Sequence, residues 1–484
     1  MKLIKLLEGI DYEKIEGTYN VDVGDMHYDS RRVTNGSLFF CIKGLTVDGH
    51  DFAAQAIDRG AKVLVLERDV NVGGNITKVF VKDTRVAMAY MAKNYYHNPT
   101  RDITSIGITG TNGKTTVTHL IKSILERAGH KVGLIGTITN MVGDRKMPSE
   151  RTTPESLDLQ AILRDMVDDG ADSIVMEVSS HSLCLGRVEG IMYDIGVFTN
   201  LSQDHLDFHD NMEEYRDAKA RLFDQCRTAI INVDDEAGRW IMDKITTQTY
   251  TYGICKEADI YARELEITER GVTFSLHTPH GGTGINLGIP GIFSIYNALA
   301  AASVCYSLGI PLDFIAQGLE AVKGVDGRFE LLDTGTDYSV ILDYAHTPDG
   351  LENILRTAKG FAKGKVITLF GCGGDRDQAK RPIMGEIAGK YSDYCIITSD
   401  NPRSEEPMDI IMDIVPGVRK TDCPYTIIEN RREAIEFALT HAKKDDVVLL
   451  TGKGHETYQI LKDRTIPFDE KKIVLEILGK NERE

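Results

Sequence analysis

Short apolar runs alternate with stretches of helical periodicity along almost the whole chain. Before residue 97 the runs are "SLFFCIKG" and "AKVLVLE", with the helical stretch "DFAAQAIDRG" between them. Apolar runs of strand length bounded by turn residues, next to a 3.6-residue period, predict a small α/β domain over 1–97. A second α/β segment opens with the strand "DITSIGI". The helix "TTVTHLIKSILERAG" follows, placing Val117, Leu120, Ile121, Ile124 and Ala128 on one face and stopping at Gly129. Further strands are predicted at "DSIVMEV", "DIGVFTN" and "TAIINVD", and the glycine-bearing "VKGVDGRFELL" reads as a hinge closing a domain over 98–330. Beyond it, "YSVILDYA", "KVITLFG", "DYCIITS" and "DDVVLLTG" are separated by helical segments. They predict a third α/β domain of parallel strands over 331–484.

Composition narrows the function classes. A chain of 484 residues exceeds what one core holds, in keeping with three domains. Its 56 Lys and Arg against 73 Asp and Glu give a net charge of −17, and no basic stripe is present, which disfavours nucleic acid and anionic membranes as partners. No run of 18 apolar residues occurs, and acids interrupt the apolar patch of "MKLIKLLEGIDYEKIEG", so neither a membrane span nor a secretion signal is expected. The eight cysteines are scattered with no C-x-x-C pair, the usage of free thiols in a reducing cytosol, and a cytoplasmic protein is expected.

The candidate chemistry begins at "GITGTNGKTT". The strict P-loop pattern wants glycine at 108, where this chain has Ile108. The surroundings still make an anion site, because a strand, a glycine turn and a helix N-terminus follow one another and aim backbone N–H groups at one place. Gly110, Thr111, Asn112, Gly113 and Thr116 would cradle the phosphates of ATP, Lys114 would reach its β- and γ-phosphates, and the Thr115 hydroxyl would take Mg²⁺. The plainer reading is a glycine turn with an exposed lysine. Glu177 ends the apolar strand of "SIVMEVSSHSL" and offers the metal a carboxylate; otherwise it is a solvated strand end. In "TNLSQDHLDFH", Asn200, Asp204, His205 and Asp207 follow another strand, with His205 either near a second Mg²⁺ or an ordinary loop histidine.

Six motifs in this order, "GTNGKTT", "MEVSSH", "TNLSQDHLDFH", "YNALAA", "DYAHTPDG" and "GKGHE", resemble the Mur ligases, which build the peptidoglycan stem peptide. That family uses the shortened loop, so Ile108 is what the resemblance implies. It also implies the fold class: α/β in three domains, with an N-terminal domain for the UDP-sugar, a central P-loop ATPase-type sheet and a C-terminal Rossmann-like parallel sheet carrying the amino acid. Ser30 in "DSRRV", with "KGLTVDGHDF" nearby, would meet the UDP end; Thr152, Thr153, Ser179 and Arg187 would meet the sugar and peptide. Leu185 stands where family members often carry Gln. Lys219, by itself a surface lysine on a helix, is in the family carbamylated and helps to hold Mg²⁺. Asn297, Arg328 and Asp343 would grip ATP; on their own they read as a helix cap, a linker charge and a strand-end acid. The implied reaction forms an acyl phosphate from the D-glutamyl carboxylate and ATP, which an incoming amine then attacks, with Lys114 and Mg²⁺ screening the two anions. UDP-MurNAc-L-Ala-D-Glu is the implied first substrate, and a monomer is expected.

The acceptor amine is read from the third domain. Four strands end in polar loops, and ligands of open parallel sheets gather at such ends, so Arg376, Arg403 and Glu456 should face one crevice. Two guanidiniums and one acid suit a substrate with carboxylates and an ammonium, the pattern of meso-diaminopimelate, whereas lysine would bring a second ammonium to Arg403. In the family "DNPR" marks diaminopimelate-adding enzymes, and Asp400, Asn401, Pro402 and Arg403 reproduce it, with Asn401, Gly452 and Glu456 completing the contacts. An ordinary solvated loop is the alternative for that stretch. Folylpolyglutamate synthetases share the loop but would not be expected to show "DSRRV" or "DNPR". A nucleotide switch or transport ATPase has no use for convergent arginines in a third domain.

Overall fold

The computed structural model describes residues 1–44, 47–149 and 151–480. Leu45 and Thr46 of the "KGLTVDGHDF" stretch lie outside the described residues. Its chain packs into two compact units, the first made of Met1–Thr109, His130–Gly196 and Ala218–Arg227, the second of Gly110–Gly129, Val197–Asp217 and Thr228–Glu484.

In the first unit a five-stranded sheet runs in the order Tyr12–Glu16, Thr77–Val81, Val63–Leu66, Leu38–Phe40, Met26–His27, antiparallel only at the Tyr12–Glu16 edge. Both faces are covered, so the strand "VLVL" is apolar without alternation. Val63, Val65, Leu38 and Phe40 pack with Met88 and Met91 of the Thr84–Tyr95 helix, while Leu64, Leu66 and Phe39 pack on the other side with Ala53 and Ala56. Further along this unit, Thr104–Thr109, Ser173–Glu177 and Val132–Ile135 form a parallel set, and two short antiparallel strands, Asn140–Val142 and Arg145–Met147, extend its edge. Glu177 is in register with Ile108, so the acid ends its strand beside the strand that leads into the glycine loop.

The second unit starts at that loop. Its helix Lys114–Arg127 buries Val117, Leu120, Ile121, Ile124 and Leu125, and Gly129 follows it with φ +95°. Leu125 takes the inward place expected of Ala128, which forms the C-cap instead. Strands Gln248–Gly253, Ile260–Thr268, Gly271–Thr278 and Gly281–Leu287 come next, the last three as antiparallel hairpins that the sequence reading did not single out. Residues Arg263–Thr268 are exposed to a degree that leaves no apolar alternation to read. A six-stranded sheet follows in the order Glu330–Leu331, Ser339–Asp343, Val447–Thr451, Val366–Phe370, Tyr394–Ile397, Tyr425–Ile427, parallel throughout except at the short Glu330–Leu331 edge. Because the long strands are parallel, "DYAHTPDG", "GCGGDRDQ", "SDNPRSEEP" and "GKGHETY" all leave from the same edge of the sheet.

Candidate active site

The glycine loop is held by backbone and amide contacts within the second unit. Asn112 N–H donates to Asn200 Oδ1 at 2.9 Å, Asn200 Nδ2 returns a bond to the Asn112 carbonyl at 3.1 Å, and Thr111 N–H donates to the Asn200 carbonyl at 2.9 Å. Gly110 (φ +143°) has no room for a side chain because Thr199 Oγ1 lies against it, and Gly113 (φ +90°) lies against Asn297 Oδ1. The two glycines are therefore required by close approach as well as by backbone conformation. Lys114 opens the helix half-buried and donates to the Gly110 and Thr111 carbonyls, each at 2.9 Å. The Thr115 hydroxyl accepts from Arg328 Nη2 at 3.1 Å, and the Arg328 guanidinium lies 4.6 Å from the Tyr344 ring centre. Asn112 Nδ2 also donates to Asp349 Oδ2 at 2.8 Å, an acid the sequence reading passed over. Thr116 is buried in the first turn of the helix.

Asp343 is buried and accepts from the Phe329 and Ala345 amides, each at 2.6 Å. Burial pushes its carboxyl up to about 6, against the pull of Arg328. His205 has a left-handed backbone (φ +54°), a strained conformation for a residue with a side chain. Its Nε2 is 3.3 Å from Asp204 Oδ2, and Asp204 also faces His346 at 4.0 Å and Lys380 at 3.8 Å. Burial opposes ionisation of Asp204, but these three neighbours hold its carboxyl well below the ordinary range. His346 and Lys380 carried no signal in sequence, because a histidine in a loop and a lysine on a helix are ordinary surface residues.

In the first unit Glu177 is 1% exposed, which excludes a solvated strand end. Its Oε1 accepts from Thr137 N–H at 2.9 Å and its Oε2 from Thr137 Oγ1 at 3.1 Å; Thr137 Oγ1 in turn lies 2.9 Å from Thr152 Oγ1. Thr153 Oγ1 donates to the Glu177 carbonyl at 2.9 Å and lies 3.4 Å from Ser179 Oγ, while Arg187 Nη1 donates to the Thr153 carbonyl at 3.3 Å. Thus Thr152, Thr153, Glu177, Ser179 and Arg187 form one cluster. Glu155 adds a feature not foreseen: three guanidiniums, those of Arg85, Arg151 and Arg187, lie 2.9–3.2 Å from its carboxylate and leave excess positive charge. Leu185 caps the short Ser180–Cys184 helix. Ser30 stands apart from this cluster, donating to Gln55 Oε1 at 2.6 Å, and its neighbours Tyr28, Asp29 and Arg32 help to line a cavity of about 190 Å³. Lys219 is 1% exposed and so is not the surface lysine its sequence suggests.

At the carboxyl ends of the parallel strands of the six-stranded sheet the candidate acceptor residues lie. A side chain at Gly373 would come 2.8 Å from Arg403 Nη1 and 3.8 Å from Arg376 Cγ, so the Arg403 guanidinium and the stem of Arg376 lie over this glycine. Arg403, itself left-handed (φ +52°), donates to the Gly374 carbonyl at 2.7 Å, and the Pro402 carbonyl lies against Gly374. The Arg376 guanidinium is 3.6 Å from Asp207. Asn401 Nδ2 donates to Glu456 Oε2 at 2.9 Å, and Gly452 (φ +108°) passes so close to Asp400 that a Cβ would sit 2.6 Å from its Oδ2. Among the described residues no group of three or more His, Cys, Asp or Glu converges as a metal cage. Of the groups expected to hold Mg²⁺, the Thr115 hydroxyl and the buried Glu177 carboxylate are hard oxygen ligands that suit that ion, whereas His205 offers a ring nitrogen and Lys219 suits it only as a carbamate.

A shortened phosphate loop on a helix N-terminus, followed by a parallel sheet with cations and acids at its strand ends, defines a nucleotide-binding α/β protein. Three family models cover most of the chain: Mur ligase family, catalytic domain, at residues 23–103; Mur ligase middle domain at 108–305; and Mur ligase, glutamate ligase domain, at 327–454. The chain belongs to the Mur ligase family. It is 52% identical over 484 residues, all of both chains, to a UDP-N-acetylmuramoyl-L-alanyl-D-glutamate--2,6-diaminopimelate ligase of Caldanaerobacter subterraneus subsp. tengcongensis. It is also 52% identical over 480 residues, 99% of both chains, to ligase 1 of the same name from Clostridium acetobutylicum. A solved structure of a protein with that ligase name matches with a TM-score of 0.70 at 30% identity, covering 99% of both chains.

Proposed function

We propose that this chain is an ATP-dependent ligase that joins meso-2,6-diaminopimelate to UDP-MurNAc-L-Ala-D-Glu, releasing ADP and phosphate, in cytoplasmic synthesis of peptidoglycan precursors. Full-length likeness at 52% identity to ligases of that name supports the reading. The single structural observation that carries it is the Arg403 guanidinium over Gly373, with the stem of Arg376 beside it and the Asn401–Glu456 contact nearby, which brings cations for carboxylates and an acid for an ammonium to the same strand ends.

The division of labour we propose is residues 1–97 for the UDP-sugar, 98–330 for ATP and 331–484 for the amino acid. Ser30 serves the UDP end; Thr152, Thr153, Ser179 and Arg187 serve the sugar and peptide. Gly110 to Thr116 cradle ATP, with Asn297, Arg328 and Asp343 around it. Lys114, which donates to the loop carbonyls, would turn from them to the γ-phosphate. The D-glutamyl carboxylate then attacks γ-phosphorus, ADP leaves, and the diaminopimelate amine displaces phosphate from the acyl phosphate. Arg376, Asp400, Asn401, Pro402, Arg403, Gly452 and Glu456 orient that amine. Mg²⁺ would be held by Thr115, Glu177 and His205, with Lys219 as a carbamate, and supplies charge neutralisation at the phosphates. No helix among the described residues is long and apolar enough to cross a membrane. A cytoplasmic monomer that binds no nucleic acid is the state we propose.

Phosphate release by the purified protein, with each substrate withheld in turn, tests this reading. Turnover should require both the UDP-dipeptide and diaminopimelate; hydrolysis indifferent to both would instead mark a nucleotide switch.

A further inference from the structure

One lysine at the acceptor edge has no place in the scheme above. Lys453 is fully buried, which lysines avoid unless paired. Gly452 (φ +108°) and Gly454 (φ +52°) flank it, and each passes within 2.6 Å, measured from a notional Cβ, of a fixed oxygen: Asp400 Oδ2 for the first and the Gly327 carbonyl for the second. The loop "GKG" therefore turns the lysine inward against both neighbours. Its Nζ donates to Asn401 Oδ1 at 3.1 Å and lies 3.2 Å from Glu456 Oε2. Asn401 Oδ1 also accepts from Ile460 N–H at 2.9 Å.

Two donors on Oδ1 decide which way the Asn401 amide points, so its Nδ2 must face Glu456 Oε2, where it donates at 2.9 Å. Glu456 Oε2 is thus met by two donors, whereas Oε1 makes no hydrogen bond among the described residues. Asp400 is buried next door and accepts from Asn401 N–H at 2.6 Å; burial opposes its ionisation, but Lys453 and then Arg431 hold its carboxyl below the ordinary range. Lys453 is the cation that pairs with Glu456 and also acts on Asp400.

The geometry points to Lys453 as a positioning residue for the acceptor: by fixing the Asn401 amide and one oxygen of Glu456, it holds the other oxygen ready for the ammonium of the incoming amino acid. The inference rests on the proposed diaminopimelate-adding activity. Without Lys453, Asn401 Oδ1 keeps only the Ile460 N–H, Glu456 Oε2 loses one of its two donors and Asp400 loses the first of its cations, so the binding of the ammonium-bearing substrate is what suffers.

The test compares wild type, Lys453→Met, Lys453→Arg and Glu456→Gln with all three substrates varied. Failure of the wild-type protein to turn over diaminopimelate would defeat the proposed function and not this inference. Given wild-type turnover, Lys453→Met should raise KM for diaminopimelate about tenfold or more while KM for ATP and for the UDP-dipeptide stays within about threefold. Lys453→Arg should recover part of the loss, and Lys453→Met should add little to Glu456→Gln, because the lysine acts through that carboxylate. An unchanged KM for diaminopimelate, or an equal rise for all three substrates, would overturn the assignment. Should Lys453→Met fail to fold, Lys453→Arg decides by the same criterion, a rise confined to diaminopimelate supporting it and a uniform or absent effect refuting it.

Discussion

Gly136→Ala is a perturbation whose effect can be worked from the structure. Gly136 follows the Val132–Ile135 strand, and its backbone is not left-handed, so alanine brings no conformational penalty of that kind. The new methyl would stand 2.5 Å from Glu177 Oε1, 3.3 Å from Cδ and 3.4 Å from Cγ. Restoring an ordinary contact of about 3.5 Å requires the carboxylate to retreat by about 1 Å. The bond from Thr137 N–H to that oxygen, now 2.9 Å, would then leave hydrogen-bonding range. Loss of a bond to a charged acceptor costs about 1.5–3 kcal/mol. With Glu177 in the metal-holding role proposed above, a displacement of about 1 Å should lower turnover on the order of 100-fold. The assay is steady-state phosphate release across a Mg²⁺ series, with thermal melting in parallel. Gly284→Ala is the control, since nothing lies within 4 Å of a Cβ there. The expected result is a large fall in turnover with a raised Mg²⁺ requirement. A variant that melts lower yet turns over at the wild-type rate with unchanged Mg²⁺ dependence would refute the role given to Glu177.

Lys114→Ala should abolish turnover while circular dichroism and melting remain those of the folded protein; an unchanged rate would refute the loop assignment. Arg403→Ala should raise KM for diaminopimelate far more than KM for ATP, as steady-state kinetics would show. If Lys219 is carbamylated as proposed, Lys219→Ala should regain part of its activity on addition of short carboxylic acids; no rescue would refute the carbamate. Asp343 keeps its proton in the folded state between its ordinary value of 3.8 and about 6, where the unfolded chain has released it. Its contribution to stability is therefore present at low pH and lost as pH rises through about 6, and Asp343→Asn should remove that part of the slope from a melting-temperature profile.

What was legible in the sequence was whatever a short-range pattern encodes. The buried parallel strands declare themselves as apolar runs without alternation, such as "VLVL", "VITLF" and "VVLLT", because both faces of their sheets are covered. The glycine loop is legible because a close approach at Gly110 and Gly113 tolerates nothing larger. The Gly271–Leu287 hairpins were missed: Gly281–Leu287 carries three glycines and two buried residues, too weak an alternation to stand out. Burial of charged side chains was equally hidden. Lys219 and Lys453 sit on stretches whose local pattern calls for solvent, and only tertiary neighbours reverse that expectation. Asp349 was passed over for a related reason, since its bond to Asn112 joins residues 237 positions apart.

The central claim is that a diamino acid with a second, distal carboxylate, and not one with a single carboxylate, completes the reaction. Its most direct test offers meso-diaminopimelate, L-lysine and L-ornithine separately to the purified protein with ATP and UDP-MurNAc-L-Ala-D-Glu, and identifies products by mass spectrometry. Only meso-diaminopimelate should yield the extended nucleotide-linked peptide at an appreciable rate. Equal or faster incorporation of L-lysine would contradict the account.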